Sequence, residues 1–134
     1  MTDSRLKAGL FCLTSILCQP LYGETIRLTD PVWKEVPGTN QETDDEDFNG
    51  AVHIEMSGLT RRGEILEFDV AAPDNSYSRM EVDCAQRRFR TIRMGDFPSQ
   101  HSIQFVRTEE RWKRLDGPNG NATVKRIVSF ICRR

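Results

Sequence analysis

The chain has 134 residues, with 19 Lys/Arg against 20 Asp/Glu, a formal net charge of −1 and only two histidines. This balance excludes a protein drawn to its partner by a net basic charge, as a general nucleic-acid coat would be. Two histidines also leave few ligands for a zinc centre and few bases for catalysis near neutral pH.

The N-terminus is built like a secretory signal. Arg5 and Lys7 form a charged end, Ala8 to Cys18 an apolar stretch, and Gln-Pro-Leu-Tyr-Gly an exit, so residues 1–23 are read as a signal peptide cleaved after Gly23. The apolar stretch is about 11 residues, short of the roughly 18 a membrane-spanning helix needs, and no later stretch reaches that length. No transmembrane segment is expected after cleavage. Two alternatives stay open: diacylation of Cys18, although Leu17 stands where a small residue is expected, and a buried N-terminal helix.

Removal of residues 1–23 leaves about 111 residues, the size of one domain, with 24–31 as a tail and 32–134 as the domain proper. Val32 to Val36 and Val52 to Met56 alternate apolar and polar residues, the period of half-buried strands. Between them lies an acidic loop. Its Asp45-Glu46-Asp47-Phe48-Asn49-Gly50 resembles the opening of a calcium loop, with Asp45, Asp47 and Asn49 as oxygen ligands. The bidentate glutamate such a loop needs is missing, since Met56 occupies its place and Glu55 comes one residue early. A solvated loop is the competing reading.

Ile65 to Val70 continues as a strand after the Arg61-Arg62-Gly63 turn. Tyr77 to Cys84 and Phe89 to Met94 then alternate around Ala85-Gln86-Arg87 as the clearest hairpin, and Ile103 to Val106 adds another strand. The last segment changes period. Val124, Ile127, Val128 and Ile131 are spaced i, i+3, i+4, i+7, which predicts a C-terminal helix after the Asp116 to Asn121 breaker. Asn121-Ala122-Thr123 matches a glycosylation acceptor but also serves as a helix start. The expected fold is α+β: a single antiparallel sheet of about five to six strands with one C-terminal helix.

In an oxidising compartment the two cysteines left after cleavage, Cys84 and Cys132, have only each other to pair with. The bond would staple helix to sheet, and closing about 48 residues would stabilise the fold by roughly 4 kcal/mol. A redox pair would need close spacing, such as Cys-x-x-Cys, which is absent.

Charge is unevenly spread. Residues 24–77 carry 4 Lys/Arg against 13 Asp/Glu, and residues 78–134 carry 13 against 6. Arg87, Arg88, Arg90, Arg93, Arg111, Lys113 and Arg114, interleaved with Phe89 and Trp112, form a candidate basic patch for a protein or polyanionic macromolecule. Nucleic acid is not expected as its partner. The competing reading is a set of strand faces neutralised within the fold. His53 and His101 lie near no motif-like nucleophile, and oxidised cysteines remove thiol chemistry, so neither catalysis nor a cofactor is expected.

The run Val52-His53-Ile54-Glu55, then Ser57 to Gly63, then Glu81-Val82-Asp83-Cys84 with Arg87-Arg88-Phe89-Arg90, then Trp112 and a helix closing on Cys132, resembles the surface-adhesin protein E family of bacterial exported proteins. The resemblance covers nearly all of residues 32–132. It implies an antiparallel sheet with a C-terminal helix tied on by the disulfide. It further implies a place in the periplasm or on the outer surface of a Gram-negative-type bacterium, and adhesion to extracellular proteins. A periplasmic structural or envelope-assembly role is the alternative.

Overall fold

The computed structural model describes residues 23–40 and 50–133. The signal-peptide reading, for residues 1–22, and the calcium reading, which falls on Asp45, Asp47 and Asn49, lie outside the described residues.

Eight strands form one antiparallel sheet. They are β1 (Glu24–Arg27), β2 (Trp33–Glu35), β3 (His53–Arg62), β4 (Ile65–Ala71), β5 (Ser76–Asp83), β6 (Arg88–Ser99), β7 (Ser102–Arg107) and β8 (Lys113–Arg114), followed by one helix, α1 (Ala122–Cys132). The spatial order is β1-β7-β6-β5-β4-β3-β2, with β8 added beside the start of β6. The expectation of five to six strands is therefore too low. Residues 24–27, read from sequence as tail, pair with β7 from Glu24 opposite Phe105 to Arg27 opposite Ser102. The two-residue β8 was hidden in the charged turn region.

From β2 to β7 the strands follow chain order, and short turns join neighbours from β3 onward. The β3–β4 turn uses Gly63 at φ +64°, and a Cβ there would meet nothing within 4 Å, so the requirement is conformational rather than spatial. The β4–β5 turn is closed by Asp74, whose Oδ1 accepts from the backbone N–H and hydroxyl of Ser76 at 3.1 and 2.6 Å. In the β5–β6 turn the Asp83 carboxylate accepts from the Gln86 N–H at 3.0 Å, and Arg87 takes φ +51°.

Three register shifts interrupt the described sheet, at Arg79/Met80, Glu55/Thr60 and Asp96/Ser99, and the first two set the positions of Phe89, Phe97 and Glu55. Arg79 pairs with Arg93 but Met80 pairs with Thr91, which leaves Ile92 as an extra residue in β6. Phe89 and Phe97, both at odd positions, thereby land on opposite faces of the sheet. Phe89 joins the core under α1, with Ile54, Leu66, Phe68, Met80, Val82, Leu115, Ile127, Val128 and Ile131. Phe97 joins a second cluster with Ala71, Tyr77, Ile103 and Phe105. In that cluster its ring meets Trp33 and Tyr77 edge-on, each at 5.5 Å between centroids.

The second shift lies in β3, where Glu55 opposes Asp69 but Thr60 opposes Glu67. The bulge is held by the buried Glu55 carboxylate. It accepts from the N–H groups of Val32, Ser57 and Gly58 at 2.7, 3.0 and 2.7 Å and from the Ser57 hydroxyl at 2.6 Å. Burial alone would raise the pKa of this group, but these donors outweigh it and hold the pKa below the ordinary glutamate value.

Helix α1 begins where the sequence predicts. Asn121 caps it, its Oδ1 accepting the Val124 N–H at 2.9 Å. The buried stripe is Ile127, Val128 and Ile131, and Val124 packs beside it. Gly120 lets the chain pass close to Leu115, since a Cβ would sit 1.7 Å from the Leu115 carbonyl oxygen. The Cys84–Cys132 disulfide is present, spanning 48 residues with 5.7 Å between Cα atoms, and it joins the end of β5 to the last residue of α1. No helix among the described residues is long and apolar enough to cross a membrane.

Candidate functional site

Strand alternation and register place Arg88, Arg90 and Arg114 on the sheet face opposite α1: Arg88 lies directly across from Arg114, while Phe89, across from Lys113, points into the core. The pleat therefore divides the basic patch, because Lys113 is turned to the other side, where it pairs with Glu110 at 3.2 Å. Arg93 lies further along β6, past the Ile92 bulge. Arg87 and Arg111 lie outside the strands and are exposed.

The face carrying Arg88 and Arg90 is shared with carboxylates of β4 and β5, and the two sets are matched. Arg88 pairs with Asp83 at 3.2 Å, and Arg90 with Glu81 at 2.7 Å. Glu81 also takes Arg62 of β3 at 3.0 Å. Arg79 joins Glu67 and reaches Asp69 at 2.9 Å, and Asp69 in turn accepts the Tyr77 hydroxyl at 2.6 Å. Asp69, Arg79, Glu81 and Asp83 are all nearly inaccessible, at 4 to 8%. Charges so far from water must be paired, and their protonation follows that pairing. Burial pushes the Glu81 pKa up, but hydrogen bonds from Arg90 and Arg62 win and hold it below the usual carboxylate range. Burial works against the Arg79 charge, and Asp69 and Glu67 more than restore it. The Tyr77 hydroxyl is driven upward, first by burial and then by Asp69. Every carboxylate of this ladder is engaged, so none stands as a free base.

Trp112, half-buried just before β8, lies under two of these arginines, with the Arg88 and Arg90 guanidinium carbons 4.7 and 4.5 Å from its ring centroid. The basic patch thus separates into two kinds of residue. Arg88 and Arg90 are spent on Asp83, Glu81 and Trp112. Arg111 and Arg114 flank Trp112 along the chain and are exposed, and Arg87, also exposed, lies beyond them opposite Leu115. Arg87 makes a loose solvent-facing pair with Asp116 at 3.3 Å, while Arg111 and Arg114 make no ion-pair contact among the described residues. Arg93 packs over Phe105 at 4.5 Å, its Nε buried without a hydrogen-bond partner among the described residues.

Sequence reasoning missed Arg62, Arg79 and their acidic partners as members of this face. The alternation of Tyr77, Arg79, Glu81 and Asp83 was the available signal, since four polar-capable residues on one side of a central strand require partners on the strands beside it. Of the two histidines, His53 lies on β3 with Nδ1 3.1 Å from the Ala51 carbonyl oxygen, and His101 lies in the β6–β7 turn. The described residues bring no three His, Cys, Asp or Glu side chains together as metal ligands.

No protein-family model matches the chain, and no curated protein or solved structure shows significant similarity to it.

Proposed function

We propose that the chain is an exported, non-enzymatic binding domain of the kind its sequence resembles in the surface-adhesin protein E family, and that it offers the Trp112 edge of its sheet to an acidic protein or polyanion. The observation that carries the reading is the pair of exposed arginines, Arg111 and Arg114, flanking a tryptophan already fixed by Arg88 and Arg90, with exposed Arg87 beyond them. A rigid aromatic beside mobile guanidiniums is the composition of an interface hot spot. The disulfide supports an oxidising compartment, and the neutralised ladder behind the rim supports binding rather than catalysis.

Protease shaving of intact cells, followed by a pull-down against extracellular proteins, tests the reading. Loss of the protein from intact cells and a salt-sensitive partner would support it. Protection until the outer envelope is opened would set adhesion aside in favour of a periplasmic accessory role.

A further inference from the structure

A separate pair of cations lies on the outside of α1. Arg126, Ser129 and Arg133 are spaced i, i+3, i+7 and share one exposed stripe, while Phe130, at the edge of that stripe, packs against the core that buries Ile127, Val128 and Ile131. Arg126, Ser129, Phe130, Arg133 and Pro37 line an open cavity of about 220 Å³.

Three features make this more than a solvated helix face. First, Arg126 is seated in space kept by a glycine: Gly38 has φ +79°, and a Cβ there would lie 2.3 Å from Arg126 Nη1. Second, Arg133 follows Cys132 directly, so the disulfide to Cys84 fixes the backbone from which it projects. Third, neither guanidinium has an ion-pair partner among the described residues, unlike the arginines of the sheet face. The helix C-terminus supplies only about half a negative charge against the two cations.

Arg133 follows Arg126 by seven residues, so their Cα atoms lie roughly 10 Å apart along the axis, a gap that two long side chains lining one cavity can span. Two guanidinium forks and a hydroxyl at one small cavity suit a tetrahedral oxyanion with several acceptor oxygens. Phe130 and Pro37 add an apolar wall that an ion alone would not use.

We infer that this cavity is a phosphate-binding site, taking either free phosphate or the phosphate of a lipid headgroup. The inference is independent of the Trp112 rim.

The test is titration of the full chain, followed by NMR, with inorganic phosphate and with short-chain phosphatidylglycerol below its micelle concentration, short-chain phosphatidylcholine serving as the zwitterionic comparison. The site predicts shifts at Gly38, Ser129 and the Arg126 and Arg133 Nε–H groups. Arg126→Gln and Arg133→Gln should each weaken binding about tenfold, the cost of one charge-assisted hydrogen bond, while Arg61→Gln, exposed beside the β3–β4 turn and outside both sites, leaves it unchanged. Binding of inorganic phosphate as tight as that of phosphatidylglycerol assigns free phosphate. Tighter phosphatidylglycerol binding, with shifts at Phe130, assigns the headgroup. No saturable shift with either probe, or equal weakening by Arg61→Gln, overturns the site.

Discussion

Replacing Cys84 and Cys132 together by alanine gives the most quantitative test of how the fold is held. The bond closes a loop of 48 residues, and on the chain-entropy account its loss releases about 4 kcal/mol of conformational freedom in the unfolded chain. For one small domain that is a large part of the whole stability, and it corresponds to a fall in Tm of roughly 15 °C. The cost should appear mainly in the unfolded ensemble, because Ile127, Val128 and Ile131 still bury α1 against the sheet. Urea unfolding checks both halves of the argument. The midpoint should drop, and the slope m should rise, since an uncrosslinked chain exposes more surface when unfolded. Hydrogen exchange should accelerate most in 122–132, because without the bond α1 can undock locally, and an 11-residue helix does not persist while undocked. A stability loss below about 1 kcal/mol, with m unchanged, would refute the reasoning and mean that packing alone secures the helix.

Other expectations follow from single residues. Glu55→Gln should cost about 2–3 kcal/mol, because an amide cannot accept from the Val32, Ser57 and Gly58 donors as a carboxylate does. The folded pKa of Glu55 is depressed, so its contribution is complete above the ordinary value of 4.5 and fades as the pH falls through the lower folded value. The gap between wild type and variant in chemical denaturation should therefore stay level at neutral pH and narrow only on the acid side. Arg88→Ala should lower stability by about 1–2 kcal/mol, through loss of both the Asp83 pair and the Trp112 contact. Arg111→Ala/Arg114→Ala should instead leave the melting curve in place while weakening partner capture and flattening its salt dependence. Asn121→Ala should cost about 1 kcal/mol by uncapping α1, measurable as a shift in urea midpoint.

The helix, the disulfide and the strands from β2 to β7 were readable because local rules specify them: the period of Val124 to Ile131, two cysteines outside the N-terminal apolar stretch, and turns at Gly63, Asp74 and Arg87. What escaped was non-local. β1 is stabilised by Ile103 and Phe105, far along the chain, and its own four residues carry little pattern. The Ile92 bulge cannot be seen in a sequence where Phe89 and Phe97 hold the same parity, so the second core was invisible until the register was known. The basic patch was legible as composition. Its division into neutralised Arg88 and Arg90 and exposed Arg111 and Arg114 depended on which acids β4 and β5 set beside each arginine.

The position of β1 also bears on the order in which the molecule can be finished. Every other long strand meets its neighbour within a short turn, but Glu24–Arg27 must wait for a partner about eighty residues later. Because the chain is made from its N-terminus, the first strand formed is the last to be seated, and such long-range closure is slow. Until then β7 is a sheet margin with open backbone groups, a slot that an extended segment of another molecule can fill. Residues 24–27 are the chain's own plug for that slot, and their loss would leave a domain disposed to exchange strands with its neighbours.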